Sequence, residues 1–331
     1  MSSSELEQWL RRLEQIHPKN IDLGLERVAA VADTLSLRSP RQPVVTVAGT
    51  NGKGSVVAVL EAALAQDGRR VGAFTSPHLQ RFNERIRVDG QEATDAEIMA
   101  AFTAIDRARG ETSLTYFEFA ALAALWVFRE RQVDVLLLEV GLGGRLDAVN
   151  IIDASLAVIT SIALDHQDWL GDSREVIAVE KAGVLRPGIP VVVADPEPPA
   201  SLTACIRDAG AAPTLLVGRH FGAQEGTGEW QGWLQRAGVR CDLAPVPDGP
   251  LLPQNVCAAL QAAVLLGVDV ERIDLPALLT HAAPDGRRQF IHCGGLDYLL
   301  DVAHNPAAVQ KLLEYVELSD CKKRKIAVFS A

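Results

Sequence analysis

The chain has 331 residues, 48% hydrophobic and 22% charged, with a formal net charge of −10. That length suits two domains and that hydrophobic share supplies a large core, while the acidic balance excludes a general nucleic-acid or anionic-membrane surface. The five cysteines, Cys205, Cys241, Cys257, Cys293 and Cys321, are scattered without a CxxC pair, which points to neither a disulfide framework nor a zinc site.

The N-terminus, MSSSELEQWLRRLEQ, is charged and amphipathic and lacks a signal-peptide core. No apolar run reaches ~18 residues, the length that spans a bilayer. A cytoplasmic protein with no membrane partner is the expectation. Helices are predicted over 4–16 and 22–35, broken at His17-Pro18. The β-branched run Val44, Val45, Val47 then enters Gly49-Thr50-Asn51-Gly52-Lys53-Gly54-Ser55, and an alanine-rich helical pattern follows. A strand, a tight glycine loop and a helix N-terminus aim backbone N–H groups at one point and favour a bound anion. Glycines let phosphate oxygens approach closely, Lys53 adds a positive charge, and Ser55 a hydroxyl suited to magnesium or phosphate. The spacing departs from the usual P-loop, because Gly54 follows Lys53 and no glycine lies five residues before Gly52.

A second strand is predicted over 70–74, then the break Thr75-Ser76-Pro77-His78, with Arg81, Arg85 and Arg87 close behind. Those arginines could hold a polyanionic substrate or merely decorate a loop. Helices follow over 93–107 and 115–130. The apolar segment 133–140 suits a central parallel strand covered on both faces, and it carries Glu139 near its end. Further strands are predicted over 157–162 and 190–194, with a helix over 174–184 between them. The alternation implies a doubly wound α/β domain, in which ligands bind beyond the carboxyl ends of the strands. That rule selects the phosphate loop, Ser76, Glu139 as a magnesium partner, and His166 in Asp165-His166-Gln167-Asp168. By pattern alone Lys181 is a solvated lysine; with a depressed pKa it could react with carbon dioxide and become a metal-ligating carbamate.

Residues 218–250, with Trp230 and Trp233, read as a hairpin insertion. Helices over 254–266 and 275–281 come next, then a hinge at 283–288. A strand over 296–302, a helix over 305–313 and a strand over 325–330 would start a second α/β unit. Two strands are too few for an open sheet, so that unit is expected to be incomplete.

Together these residues resemble the Mur ligase superfamily, and within it the folylpolyglutamate synthase/dihydrofolate synthase family. The matching pieces, in family order, are 21–27, 49–55, 75–78, 114–118, 139–147, Asp165-His166, 180–183 and 301–306. The resemblance implies a P-loop ATPase domain over 1–284, with N-terminal helices, and a smaller Rossmann-like C-terminal α/β domain from 285, of which 285–331 is only the start. It implies a ligase that forms an acyl phosphate from ATP and a substrate carboxylate, which the α-amine of L-glutamate then attacks. By position, Gly49, Thr50, Asn51, Gly52, Lys53, Gly54 and Ser55 would hold ATP, with Asn255, Arg287, Asp301 and His304. Ser55, Ser76, Glu139, His166 and a carbamylated Lys181 (N6-carboxylysine) would serve magnesium, at two sites; Lys53, His166 and Lys181 would be catalytic. The pterin or folate would meet Asp22, Ser76, Thr115, Tyr116, Phe117, Glu118, Arg145, Leu146, Asp147 and Ala148. At the hinge, Asp285-Gly286-Arg287-Arg288 stands where the family usually has Pro-Gly-Arg and an aromatic residue. The expected partners are dihydropteroate, reduced folates and L-glutamate, and the expected state is a monomer. A folylpolyglutamate synthase alone, or a non-catalytic nucleotide-binding module, are the alternatives.

Overall fold

The structure, a computed structural model, describes residues 5–19, 21–318 and 326–328. The described chain forms two compact units, Met1–Asp285 and Gly286–Ala331. In the first, α1 (Glu5–Ile16) and α2 (Glu26–Thr34) precede β1 (Val44–Ala48), α3 (Lys53–Gln66) and β2 (Val71–Phe74). The short strands β3 (Ile86–Val88) and β4 (Gln91–Glu92) lead to α4 (Asp95–Arg109), α5 (Tyr116–Glu130), β5 (Val135–Glu139) and β6 (Leu156–Ile159). Next come α6 (Gln167–Leu170), α7 (Arg174–Ala182), β7 (Val191–Val193), α8 (Ala200–Asp208) and β8 (Thr214–Leu216). A small antiparallel sheet follows, of β9 (Gly222–Glu225), β10 (Glu229–Arg236), β11 (Val239–Asp242) and β12 (Val246–Pro247), then α9 (Pro253–Leu265) and α10 (Leu275–His281).

The main sheet runs β4-β3-β2-β5-β1-β6-β7-β8, parallel from β2 to β8 with an antiparallel edge at β3 and β4. Alternate strand residues serve opposite faces, as a pleat requires. Val45 and Val47 of β1, with Val135 and Leu137 of β5, pack towards α3 and α9, whereas Val44, Ala48, Leu136 and Leu138 pack with α4 and α5. The parallel strands are therefore apolar on both sides, which explains their unbroken hydrophobic runs. Helix α3 is apolar nearly all round because the sheet covers one side and α9 the other. Full burial of one of its leucines, such as Leu60, contributes about 2 kcal/mol.

The register matters for chemistry. Val47 lies opposite Glu139, so the last residue of β5 stands beside the start of the glycine loop. The sequence order β1, β2, β5, β6 becomes the spatial order β2, β5, β1, β6, which is the crossing that creates a crevice at the strand ends.

The helix expected over 22–35 starts only at Glu26. Arg27 takes the Asp22 carbonyl (Nη2 to O, 2.9 Å) and its carboxylate (Nη1 to Oδ2, 2.6 Å), holding 21–25 extended. The insertion at 218–250 is a four-stranded sheet rather than one hairpin. Strands β3, β4 and β8 and helix α8 were not anticipated; the strands are too short for a period of two to register.

In the second unit, β13 (Gln289–Cys293) and β14 (Leu296–Leu300) form an antiparallel hairpin, followed by α11 (Pro306–Leu318). The expected 296–302 strand thus pairs with an unanticipated neighbour across a Gly294-Gly295 turn, both glycines at positive φ. The strand expected over 325–330 lies mostly outside the described residues; 326–328 are not in a strand.

Candidate active site

The glycine loop joins β1 to α3 and is laced to the loop after β6. Thr50 N donates to the Ser161 carbonyl at 2.7 Å, Asn51 N to Ser161 Oγ at 3.3 Å, and Thr50 Oγ1 exchanges bonds with Ala163 at 3.0 and 3.1 Å. Two glycines are needed for more than flexibility. Gly49 has φ +146°, and a Cβ there would lie 1.7 Å from Thr160 Oγ1. Gly52 has φ +89°, and its Cβ would lie 2.5 Å from Asn255 Nδ2 on α9. Helix α3 begins at Lys53, so its N-terminal partial positive charge and Ser55 sit at the loop's mouth. The Lys53 ammonium donates to the carbonyls of Gly49 (3.1 Å) and Thr50 (3.2 Å).

Lys181 is not solvated. It is 3% exposed on α7, and its Nζ donates to the same Gly49 carbonyl at 2.9 Å. Burial first, and the Lys53 charge second, hold its pKa down to about 7 against the pull of Asp165 and Asp147. The packing that brings α7 here is tight: a Cβ at Gly144 would meet the Glu180 carbonyl at 2.8 Å, and one at Gly183 would meet Arg145 at 2.4 Å.

Glu139, 4% exposed, accepts a bond from Ser76 N at 3.3 Å through Oε2, and the same oxygen lies 3.5 Å from an ideal Cβ at Gly54. The carboxylate therefore reaches the first turn of α3 and the Ser76-Pro77 segment, whose peptide is cis. His166 precedes α6 in a left-handed conformation (φ +47°), with its side chain half exposed beside Asp165.

Next to these groups lies a cavity of about 300 Å³. Its lining includes Asp22, Ser76, Thr115, Phe117, Glu118, Leu146, Asp147, Ala148 and His166. Phe117 packs under Gly141, where a Cβ would be 2.6 Å from the ring, and tilts against Phe74. Thr115 and Glu118 form a capping box at the start of α5: Glu118 Oε2 accepts from Thr115 N at 2.6 Å. Its other oxygen accepts from Arg27 at 3.1 Å, so Arg27 bridges Glu118 and Asp22. Asp147 is 3% exposed and accepts bonds from Leu142 N (2.9 Å) and Val149 N (3.0 Å). Burial outweighs those bonds and pushes its carboxyl up to about 6.

Two residues expected here lie elsewhere. Tyr116 turns away into an edge-on contact with Phe82 and lies under the Arg85 guanidinium, and Arg145 points outward to pair with Glu180 at 2.9 Å. Sequence reasoning assigned no role to Arg27, although it ends the 21–27 segment that matched the family; of the three arginines it offered as possible substrate anchors, only Arg85 lines the cavity. Thr160, packed against Gly49, carries no local signal at all.

In the second unit, Asp301 follows β14 and accepts from Arg288 N (3.0 Å) and Ala303 N (2.8 Å), while Asn305 caps α11 through Ala308 N. His304 contacts the Val302 carbonyl through Nδ1, and Arg287 is half-buried before β13. Among the described residues no three His, Cys, Asp or Glu side chains converge into a metal centre.

No family model matches the chain. It is 43% identical over 328 residues to the dihydrofolate synthase/folylpolyglutamate synthase of Escherichia coli K12, covering 99% of this chain and 76% of that protein. It is 42% identical to the Haemophilus influenzae protein of the same name, covering 95% and 74%. Among solved structures, E. coli FolC in complex with DHPP and ADP superimposes with a TM-score of 0.89 at 42% identity, over 97% of this chain and 76% of that one. The Yersinia pestis bifunctional folylpolyglutamate synthase/dihydrofolate synthase with Mn, AMPPNP and L-glutamate bound gives 0.82 at 43% identity, over 95% and 75%. With identity this high along nearly the whole chain, and a matching α/β fold, the chain belongs to the dihydrofolate synthase/folylpolyglutamate synthase family.

Proposed function

We propose that the protein is an ATP-dependent carboxylate–amine ligase that adds L-glutamate to dihydropteroate, giving dihydrofolate, and to reduced folates, giving polyglutamates. The observation that carries this reading is the meeting of Glu139, Lys53 and Lys181 around one glycine loop, next to a cavity lined by Asp22, Glu118 and Asp147. Carboxylates of that kind suit the N–H groups of a pterin, and Phe117 offers its ring a flat apolar face.

In this reading the loop amides of 49–55 and Lys53 receive the phosphates of ATP, and Asn255 backs the loop at Gly52. Arg287, Asp301 and His304 keep the nucleotide-binding roles that the family pattern gives them. The substrate carboxylate attacks the γ-phosphorus and ADP leaves; the glutamate amine then attacks the acyl carbon and phosphate leaves. Lys53 and the α3 N-terminus neutralise charge that develops on the transferred group. The oxygen donors Ser55, Ser76 and Glu139 fit magnesium, which favours hard oxygen ligands and keeps several waters; His166 enters this reading through the family pattern alone. Magnesium, when bound, neutralises the phosphoryl oxygens. Lys181, held near neutrality, is suited to carbamylation, which would turn its charge negative. A net charge of −10 and small-molecule substrates agree with a monomer acting in the cytoplasm without nucleic acid, and no described helix is long and apolar enough to cross a membrane.

The test is phosphate release from ATP with magnesium and L-glutamate, with dihydropteroate in one arm and tetrahydrofolate in the other. Release in both is expected. Release with tetrahydrofolate alone would reduce the activity to polyglutamylation, and silence in both with ATP bound would refute the acceptor.

A further inference from the structure

Three arginines follow Ser76-Pro77, and the fold gives each a different task. Arg81 is exposed and faces Asp95 (3.6 Å) and Glu92 (4.0 Å) on the surface. Arg87 is committed to the buried Glu61 at 2.8 Å and to Thr75 Oγ1 at 3.1 Å. Arg85 alone of the three lines the cavity, and among the described residues it forms no ion pair.

Its guanidinium is fixed nonetheless. Nε donates to His78 Nδ1 at 2.7 Å, while Cζ lies 5.6 Å from the Tyr116 ring and 5.9 Å from the Phe82 ring. The backbone is anchored as well, since the Arg85 carbonyl accepts from Thr75 N at 3.0 Å. That bond sets Arg85 beside Ser76, whose own N–H is bound by Glu139. The bond to His78 occupies Nε and leaves the two Nη groups, the pair that grips a carboxylate bidentately. Burial disfavours the charge and outweighs the pull of Tyr116, Glu139 and Glu84, and among the described residues no carboxylate lies within ion-pair distance of it. A half-buried cation held ready by aromatic faces and a histidine suits an anion that arrives with the ligand.

Among the described residues lining the cavity, Arg85 carries the one permanent positive charge, against the carboxylates of Asp22, Glu118 and Asp147. The cavity is thus polarised: hydrogen-bond donors of a ligand belong with the acids, and its anionic group belongs with Arg85.

From this geometry we infer that Arg85 binds the substrate carboxylate that is to be activated, and holds it on the Ser76–Glu139 side of the cavity. The inference rests on the ligase reading above and adds the residue that selects an anionic acceptor. His78 acts as a positioning residue, because only an Nδ1 without a proton can accept the Arg85 Nε–H bond.

The experiment compares equilibrium binding of dihydropteroate and of its carboxamide analogue, which differs only in lacking the negative charge. The wild-type chain, Arg85→Gln and Arg85→Lys are titrated, with circular dichroism and ATP binding as controls for folding. The wild type is expected to prefer the carboxylate by on the order of tenfold or more, the scale of a charge-assisted hydrogen bond. Arg85→Gln should abolish that preference while leaving carboxamide binding unchanged, and Arg85→Lys should keep part of it. An undiminished preference in Arg85→Gln overturns the inference, as does a parallel loss for both ligands, which would mean that Arg85 only shapes the cavity. Should Arg85→Gln fail to fold, Arg85→Met takes its place: an undiminished carboxylate preference in that neutral variant would overturn the inference, and its loss with carboxamide binding kept would uphold it. If the wild type binds neither ligand, the ligase reading itself fails and the inference falls with it.

Discussion

Lys181 and Lys53 share one acceptor, the carbonyl of Gly49. Two ammonium groups on one oxygen are costly in a buried site, and Lys181 is the one whose pKa falls to about 7. The unfolded chain would bind this proton up to about pH 10.5, the ordinary lysine range, and the folded chain would not. Between about pH 7 and 10.5 the unfolded state therefore holds more protons, and stability should rise with pH. Urea unfolding of the wild type and Lys181→Met across that window should show the slope in the first and its flattening in the second. Activity of Lys181→Ala is expected to return in part with added formate or acetate; full activity without them would count against a carbamate. For Glu139→Gln, a magnesium titration of ATP turnover should need a much higher concentration for half-activity, and an unchanged midpoint would remove Glu139 from the metal's neighbourhood. At this scale the sequence was informative where a role is local. Gly49 to Ser55 fall where their pattern predicts, across the loop between β1 and α3 and into the first turn of that helix. Tyr116 and Phe117 show the opposite limit. Successive residues on a helix point about 100° apart, so only one of the pair can face a given cavity, and sequence does not say which.

Among the elements, α3 and β3 are tied by Glu61, which receives Arg87 at 2.8 Å and the amide of Gly90 at 3.1 Å. Arg87 continues the link to Thr75 Oγ1 and the Glu84 carbonyl, while the Glu84 carboxylate gathers the amides of Leu79, Gln80 and Arg81. The segment after β2 is therefore braced from the helix that opens at Lys53. Removing one partner of a buried pair strands the other charge, at a cost of about 3 kcal/mol. Glu61→Ala should lower the unfolding free energy by that order in a urea titration, whereas a surface variant such as Glu130→Ala should change it by less than about 1 kcal/mol. The brace itself was not legible. Glu61 lies within an apolar helix and Arg87 in a three-residue strand, and only the antiparallel β2–β3 pairing brings them together. The central parallel strands were legible, because burial on both faces leaves an unbroken apolar run.

For the whole molecule, the division at Asp285–Gly286 separates a large α/β unit from a hairpin and helix. Limited proteolysis is expected to cut within 283–288 and to leave a fragment of the first unit that resists further digestion; a first cut inside β1 or β5 would contradict that division. The fold class was legible from alternation of strand and helix, and the family from eight short segments in order. The antiparallel edge strands and the β13–β14 hairpin were not, since two- and three-residue strands and a glycine turn carry too few positions to show a period. The glycine loop itself has a consequence in time. It is completed by Thr160 against Gly49, by Lys181 on the Gly49 carbonyl and by Asn255 against Gly52. A ribosome that has just released the loop has thus made its sequence without its walls. Until Asn255 has emerged, the growing chain carries the motif without all the residues that wall it in.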